Sequence, residues 1–173
     1  YQQARLLVET GDPETALGYV EKVFARAPGH PRATLLRARL LAASSKTRKE
    51  GIEQLTALSE GELGASAAPS QKADALTTRA EIAIGDRAWE EALAHVNEAV
   101  QLAPSDHDLR VRHGELAIKL REFGLARESF KKLLEVNPAD DEATIGLARA
   151  KIGSRDALGG YQDLQTALEK RPK

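Results

Sequence analysis

Apolar residues recur every three or four positions through most of the chain, and the pattern itself returns at a fixed interval. In WEEALAHVNEAVQLAP (residues 89–104) the apolar frame is Ala92, Val96, Ala99 and Leu102, closed by Pro104. In FGLARESFKKLLEVNP (residues 123–138) it is Ala126, Phe130, Leu133 and Val136, closed by Pro138, each 34 residues further on. That spacing places the apolar residues on one face of a helix. The proline ends the helix, because the residue before it is driven away from helical dihedrals. The frame continues forward through Gly160, Leu164 and Ala167 to Pro172, and backward to Ala16, Val20, Val23 and Pro28. A weaker copy runs through Gly51, Leu55 and Leu58.

A second helix precedes each of these. ATLLRARLLA from Ala33 parallels ATIGLARAKI from Ala143, and LTTRAEIAI (76–84) shares its frame with RVRHGELAI (110–118). Thr47 with Glu50 and Ser105 with Asp108 predict capping boxes, and Pro13 and Pro31 stand where a first helical residue is expected. The unit is therefore helix, turn, helix, turn. It is written about five times, over residues 1–30, 31–70, 71–106, 107–140 and 141–173 of a single array. One stretch departs from the rhythm: GELGASAAPS, residues 61–70, carries the loop formers of an irregular loop or hinge.

Composition narrows the class. The chain is 42% hydrophobic but only 4% aromatic, so strand-forming residues are scarce and an all-α fold is expected. A net charge of −1 with mixed signs gives no bulk attraction for nucleic acid. No stretch approaches the length of a membrane span, so no direct membrane insertion is expected. Cysteine is absent, which removes disulfides and thiolate metal sites. The chain opens at Tyr1 inside a helical pattern and ends at KRPK, which reads as a segment of a longer protein, cytoplasmic or periplasmic.

Catalytic signatures are missing. His30, His95, His107 and His113 make no metal-ligand spacing, and no glycine-rich phosphate loop or GxSxG elbow occurs. Ser129 or Ser154 near a histidine reads as coincidence, and acidic pairs such as Glu90-Glu91 and Asp140-Asp141 suit helix N-termini. Neither catalytic, cofactor nor metal residues are assigned. Trp89 is expected to fill core space rather than to bind.

At unit position 8 the chain carries Ala4, Ala38, Ala80, Gly114 and Ala148, and at position 20 Ala16, Gly51, Ala92, Ala126 and Gly160. With Trp89 and Phe123 at position 17 and proline near position 32, this resembles the tetratricopeptide repeat family over nearly the whole chain. The resemblance implies a right-handed α-solenoid of about five stacked helix-turn-helix units. It also implies a concave groove lined by the first helix of each unit, which holds a protein or peptide partner. Carried onto this chain, the groove positions are Arg5, Arg32, Leu35, Arg39, Asp74, Thr77, Glu81, Ile84, Asp108, Val111, Glu115, Ile118, Glu142, Ile145, Arg149 and Ile152. Arginines fall in the first two units and acids in the third and fourth, which suggests a bipolar rim over an apolar floor. The expected function is a non-catalytic interaction scaffold in a bacterial multiprotein complex (envelope assembly, polysaccharide export, secretion or polarity). The alternative is the substrate-recruiting region of a multidomain kinase or glycosyltransferase. Self-association through open solenoid ends is a further expectation. A clamp for chaperone C-terminal tails is disfavoured, since position 9 never carries asparagine and Asp74 replaces a base.

Overall fold

The computed structural model describes residues 13–26, 31–60 and 67–169. Among them nine helices follow one another: α1 Pro13–Arg26, α2 Pro31–Ala43, α3 Arg48–Ser59, α4 Pro69–Gly85, α5 Trp89–Leu102, α6 His107–Lys119, α7 Phe123–Val136, α8 Asp141–Gly153 and α9 Ala157–Glu169. No strand occurs among the described residues. No described helix is long and apolar enough to cross a membrane. The chain separates into two compact units, one reaching Asp86 and one beginning at Arg87. Residues 61–66 of the irregular stretch lie outside the described residues, as does Arg5, while Pro69 and Ser70, expected in that loop, instead open α4, where proline suits the first helical turn.

In the first unit, Ala16, Val20 and Leu40 close the contact of α1 with α2, and Ala38, Ala42, Leu55, Leu58 and Ala75 form the core of α2, α3 and α4. The cores are built from alanine and leucine because the helices lie close together. Gly51 shows how close: a Cβ there would stand 2.7 Å from the Ala38 carbonyl oxygen and from the Ala42 Cα. These are backbone atoms of α2 and cannot rotate away. Arg37 ties three helices, donating from α2 to Glu21 on α1 at 2.7 Å and pairing with Glu50 on α3 at 3.1 Å.

In the second unit the matching contact is aromatic. Phe130 of α7 is fully buried, and its ring lies where a Cβ on either Gly114 of α6 or Gly146 of α8 would have to go. Phe123 stands in the same relation to Gly153, and Gly160 lies against the Ala148 carbonyl oxygen. Ala126, Leu133, Ala143, Leu147 and Ala150 complete the core around the Phe130 ring. Small residues thus meet large ones at repeating positions, with burial as the driving force.

The helix ends depart from the expected capping boxes. Thr47 precedes α3 but makes no side-chain cap; its hydroxyl donates back to the Leu41 carbonyl at 2.8 Å, while Glu50 is drawn to Arg37. At α6 the cap is Asp106, not Ser105: Asp106 has the extended backbone the position requires, and its carboxylate accepts from the Leu109 N–H at 3.0 Å. Asp140 repeats this 34 residues later, accepting from Ala143 at 2.9 Å. Pro13 and Pro31 do open α1 and α2. Val136, expected on the apolar face, ends α7 and is exposed.

Turns after first helices share a device that apolar periodicity does not reveal. Arg87, Arg121 and Arg155, spaced by 34, all adopt positive φ of 61°, 64° and 68°. After α6 the Glu122 N–H reaches the Ala117 carbonyl and the Arg121 N–H reaches Ile118; after α8, Asp156 and Arg155 repeat this with Lys151 and Ile152. This left-handed closure satisfies carbonyls at the helix end, usually with glycine. An arginine there is strained by roughly 1–2 kcal/mol.

Two glycine substitutions separate packing from helix propensity. Gly18, where a Cβ would meet nothing within 4 Å, should gain up to about 1 kcal/mol as Gly18→Ala. Gly51→Ala offers the same propensity gain but forces α2 and α3 apart, and is expected to destabilise by about 1–3 kcal/mol. Urea denaturation followed by circular dichroism reads both; equal signs would contradict the packing assignment.

Candidate functional site: the first-helix surface and its opposite side

On the first unit the expected groove residues divide by depth. Arg32, Arg39, Asp74 and Glu81 are exposed, whereas Leu35, Thr77 and Ile84 are half-buried. Leu35 packs against the α2–α4 core, and the Thr77 hydroxyl donates to the Ala73 carbonyl at 2.7 Å within its own helix. Between α2 and α4 lies a cleft of about 360 Å³, floored by Ala42 and Ile82. Two ion pairs border it: Arg39 with Glu81 at 3.4 Å, and Arg48 with Asp86.

On the second unit, Asp108 and Glu115 of α6 and Glu142 and Arg149 of α8 are exposed. Glu115 and Arg149 pair at 3.5 Å. Val111 is only 7% exposed and belongs to the core, and Ile118 packs against that core from its edge. Ile145 and Ile152 differ: they remain 50% and 49% exposed, seven residues apart on the same face of α8, with Arg149 between them.

The position-9 charges therefore join in pairs on adjacent first helices, Arg39 with Glu81 and Glu115 with Arg149. The arginine-to-acid gradient read along the sequence is offset locally by these contacts. Each pair is solvent-exposed and contributes about 0.2–1 kcal/mol.

Other polar groups are brought together that spacing alone does not connect. His107 Nε2 lies 2.7 Å from Asp140, and its Nδ1 lies 3.2 Å from Asp108. Hydrogen bonds to Asp140 and Asp108 raise the His107 pKa above its ordinary value. On the other side of α6 from Glu115, His113 is buried with Nδ1 2.7 Å from the Ser129 hydroxyl. Burial, followed by the charge of Arg110, lowers the His113 pKa. Repetition places His107 one period before Asp141, but nothing in the apolar pattern signals the contact of His113 with Ser129. Trp89 is half-buried and carries the Lys119 ammonium 3.8 Å from its ring centroid, a cation–π contact.

A family model described as a tetratricopeptide repeat matches residues 1–55 and 111–151, more than half of the chain. Among solved structures, the Naa15/Naa10 complex bound to HypK-THB is 18% identical with a TM-score of 0.77, over 99% of this chain and 25% of that one. MamA from Desulfovibrio magneticus RS-1 is 15% identical with a TM-score of 0.70, over 97% of this chain and 90% of that one. YrrB, described as a TPR protein with an unusual peptide-binding site, is 18% identical with a TM-score of 0.68, over 98% and 84%. At these identities the structural likeness speaks for the fold alone.

The His107 contact carries a pH signature. Its folded pKa is raised, so its contribution to stability is fully present below the unfolded value near 6.5 and is lost as pH rises through the folded value. His107→Gln should therefore cost more stability at pH 5.5 than at pH 8.5, measured by urea midpoints. A deficit that grows with pH would contradict the assignment.

Proposed function

Since the chain belongs to the tetratricopeptide repeat family, we infer that it serves as a non-catalytic scaffold holding a peptide or protein surface against its first helices. The observation that carries this reading is the stripe Ile145–Arg149–Ile152 on α8, where two large aliphatic side chains stay half in water beside an ion pair. Leaving such groups exposed forgoes about 25 cal/mol per Å² of apolar surface. A partner that covers them recovers that energy. Micromolar binding requires about 8 kcal/mol net, more than exposed ion pairs supply. Apolar anchoring at Ile145 and Ile152 thus accounts for affinity, while Glu115 and Arg149 select register and orientation.

The cleft between α2 and α4 offers the first unit a comparable surface, with Arg39 and Glu81 at its border. The assemblies we assign to it are bacterial ones: envelope construction, polysaccharide export, secretion or polarity. The alanine- and arginine-rich composition of the helical array supports that assignment. The peptide-binding description of YrrB supports a peptide ligand.

Site-specific photo-crosslinking tests this. A benzophenone amino acid at Ile152 is expected to capture a defined partner from a cell extract, while one at Lys131, exposed on α7, is not. With that partner purified, Ile145→Asp and Ile152→Asp together should weaken binding by at least tenfold without a change in helicity. Equal capture at both positions, or unchanged affinity in the double variant, would overturn the α8 surface as the binding face.

A further inference from the structure

A second cleft, of about 340 Å³, lies on the side of α6 away from Glu115, between α5, α6 and α7. Its walls carry Arg110 and His113 from α6, Glu128 and Lys132 from α7, and Asn97 and Gln101 from α5. His113 is 4% exposed, and its Nε2 is buried with no hydrogen-bond partner among the described residues. Enclosing an imidazole nitrogen without a partner is unfavourable, so its place beside two cations calls for an explanation.

The hydrogen bonds behind the ring fix what Nε2 presents. The Ser129 hydroxyl lies 3.2 Å from the Leu125 carbonyl of its own helix and donates to it. The same oxygen, 2.7 Å from His113 Nδ1, then accepts the ring N–H. This assignment satisfies both groups and leaves the neutral ring with a lone pair at Nε2. Arg110 donates to the Pro104 carbonyl, and Lys132 pairs with Glu128 at 2.6 Å. Arg110 and Lys132 disfavour a metal cation. They favour an oxyanion, and an oxyanion in turn favours the protonated ring.

We propose that this cleft binds an oxyanion, the carboxylate or phosphoryl group of a ligand, which accepts from Arg110 and Lys132 and, through a small shift of the cleft wall that opens the enclosed nitrogen, from a protonated His113 Nε2. The Asn97 and Gln101 amides supply further donors from α5. Binding takes up one proton from solvent, which becomes the Nε2–H, and no covalent bond forms. Glu128 and Lys132 from α7 and Arg110 from α6 are the charged groups facing the ring, and α5 adds none to the lining. Burial, then Arg110 and Lys132 against the opposing charge of Glu128, lower the pKa of the ring; an anion beside the ring offsets the two cations. The site is separate from the α8 face and stands whether or not that face binds a partner.

Titration of the histidine ring nitrogens by NMR in the full 173-residue chain tests this, with sulfate as a phosphoryl-like probe and acetate as a carboxylate probe. Sulfate is expected to raise the apparent pKa of His113 by about one unit or more, with affinity rising up to tenfold per unit decrease in pH within that window. His107, paired with Asp140 outside the cleft, serves as the internal reference for salt screening. A response to sulfate but not acetate assigns a phosphoryl ligand, and a response to acetate assigns a carboxylate. Lys132→Gln, on a half-exposed side chain, should reduce the response at least threefold while leaving helicity unchanged. The proposal is overturned if neither anion moves His113 beyond the shift of His107, or if Lys132→Gln responds as the parent chain does.

Discussion

Phe130 sits between two helices that each yield a glycine to it, and the spacing of α6 and α8 depends on that arrangement. A Cβ on Gly114 or Gly146 would occupy the space of the ring, so neither helix can carry an ordinary side chain and keep its distance. Gly51 enforces the same closeness between α2 and α3, with backbone as the opposing surface. The rest of each unit follows from these contacts. Once helices pack this tightly, alanine, leucine and valine fill most of the remaining buried positions. One face of each first helix is then left uncovered. In a repeat fold, a contact of this kind recurs with the period and so sets many neighbours at once.

Within each unit, charges on the uncovered faces meet one another before they meet a ligand. Arg39 with Glu81, and Glu115 with Arg149, are position-9 partners from adjacent first helices. What remains to attract a partner is chiefly apolar: Ile145 and Ile152 on α8. The other side of α6 follows different physics, since His113 is buried beside Arg110 and the Lys132–Glu128 pair rather than exposed. Within this unit α8 thus carries a surface suited to apolar docking, and α6 one wall of a cleft suited to an anion.

Much of the fold was legible because burial at helical period leaves a direct imprint on the chain. Ala16, Ala38, Ala80, Ala92, Ala126 and Ala148 were readable as small residues at close crossings, and each is buried. Depth was harder to read. Val111 and Ile145 share a repeat position, yet one lies in the core and the other in water. That difference depends on what packs against each helix, which periodicity does not record. Capping went astray at Thr47 and Ser105 because several polar residues compete at a helix start, and backbone dihedrals choose among them. The pairing of position-9 charges is a contact between successive repeats, and reading each charge separately conceals it. His113 and Ser129 lie 16 residues apart on different helices, a contact that only the packing of α6 against α7 creates. The three arginines at positive φ were discoverable from their interval of 34, though their residue type argues against that conformation.

The central claim is that a ring fitted against absent Cβ atoms sets the helix spacing. A double-mutant cycle between Gly114→Ala and Phe130→Leu measures it most directly by urea denaturation. Each single change should destabilise, Gly114→Ala through the clash and Phe130→Leu through lost packing. Combined, they are predicted to cost at least about 1 kcal/mol less than their sum, because the smaller side chain makes room for the added methyl. Additive costs would mean that Gly114 and Phe130 act independently, and would contradict the account.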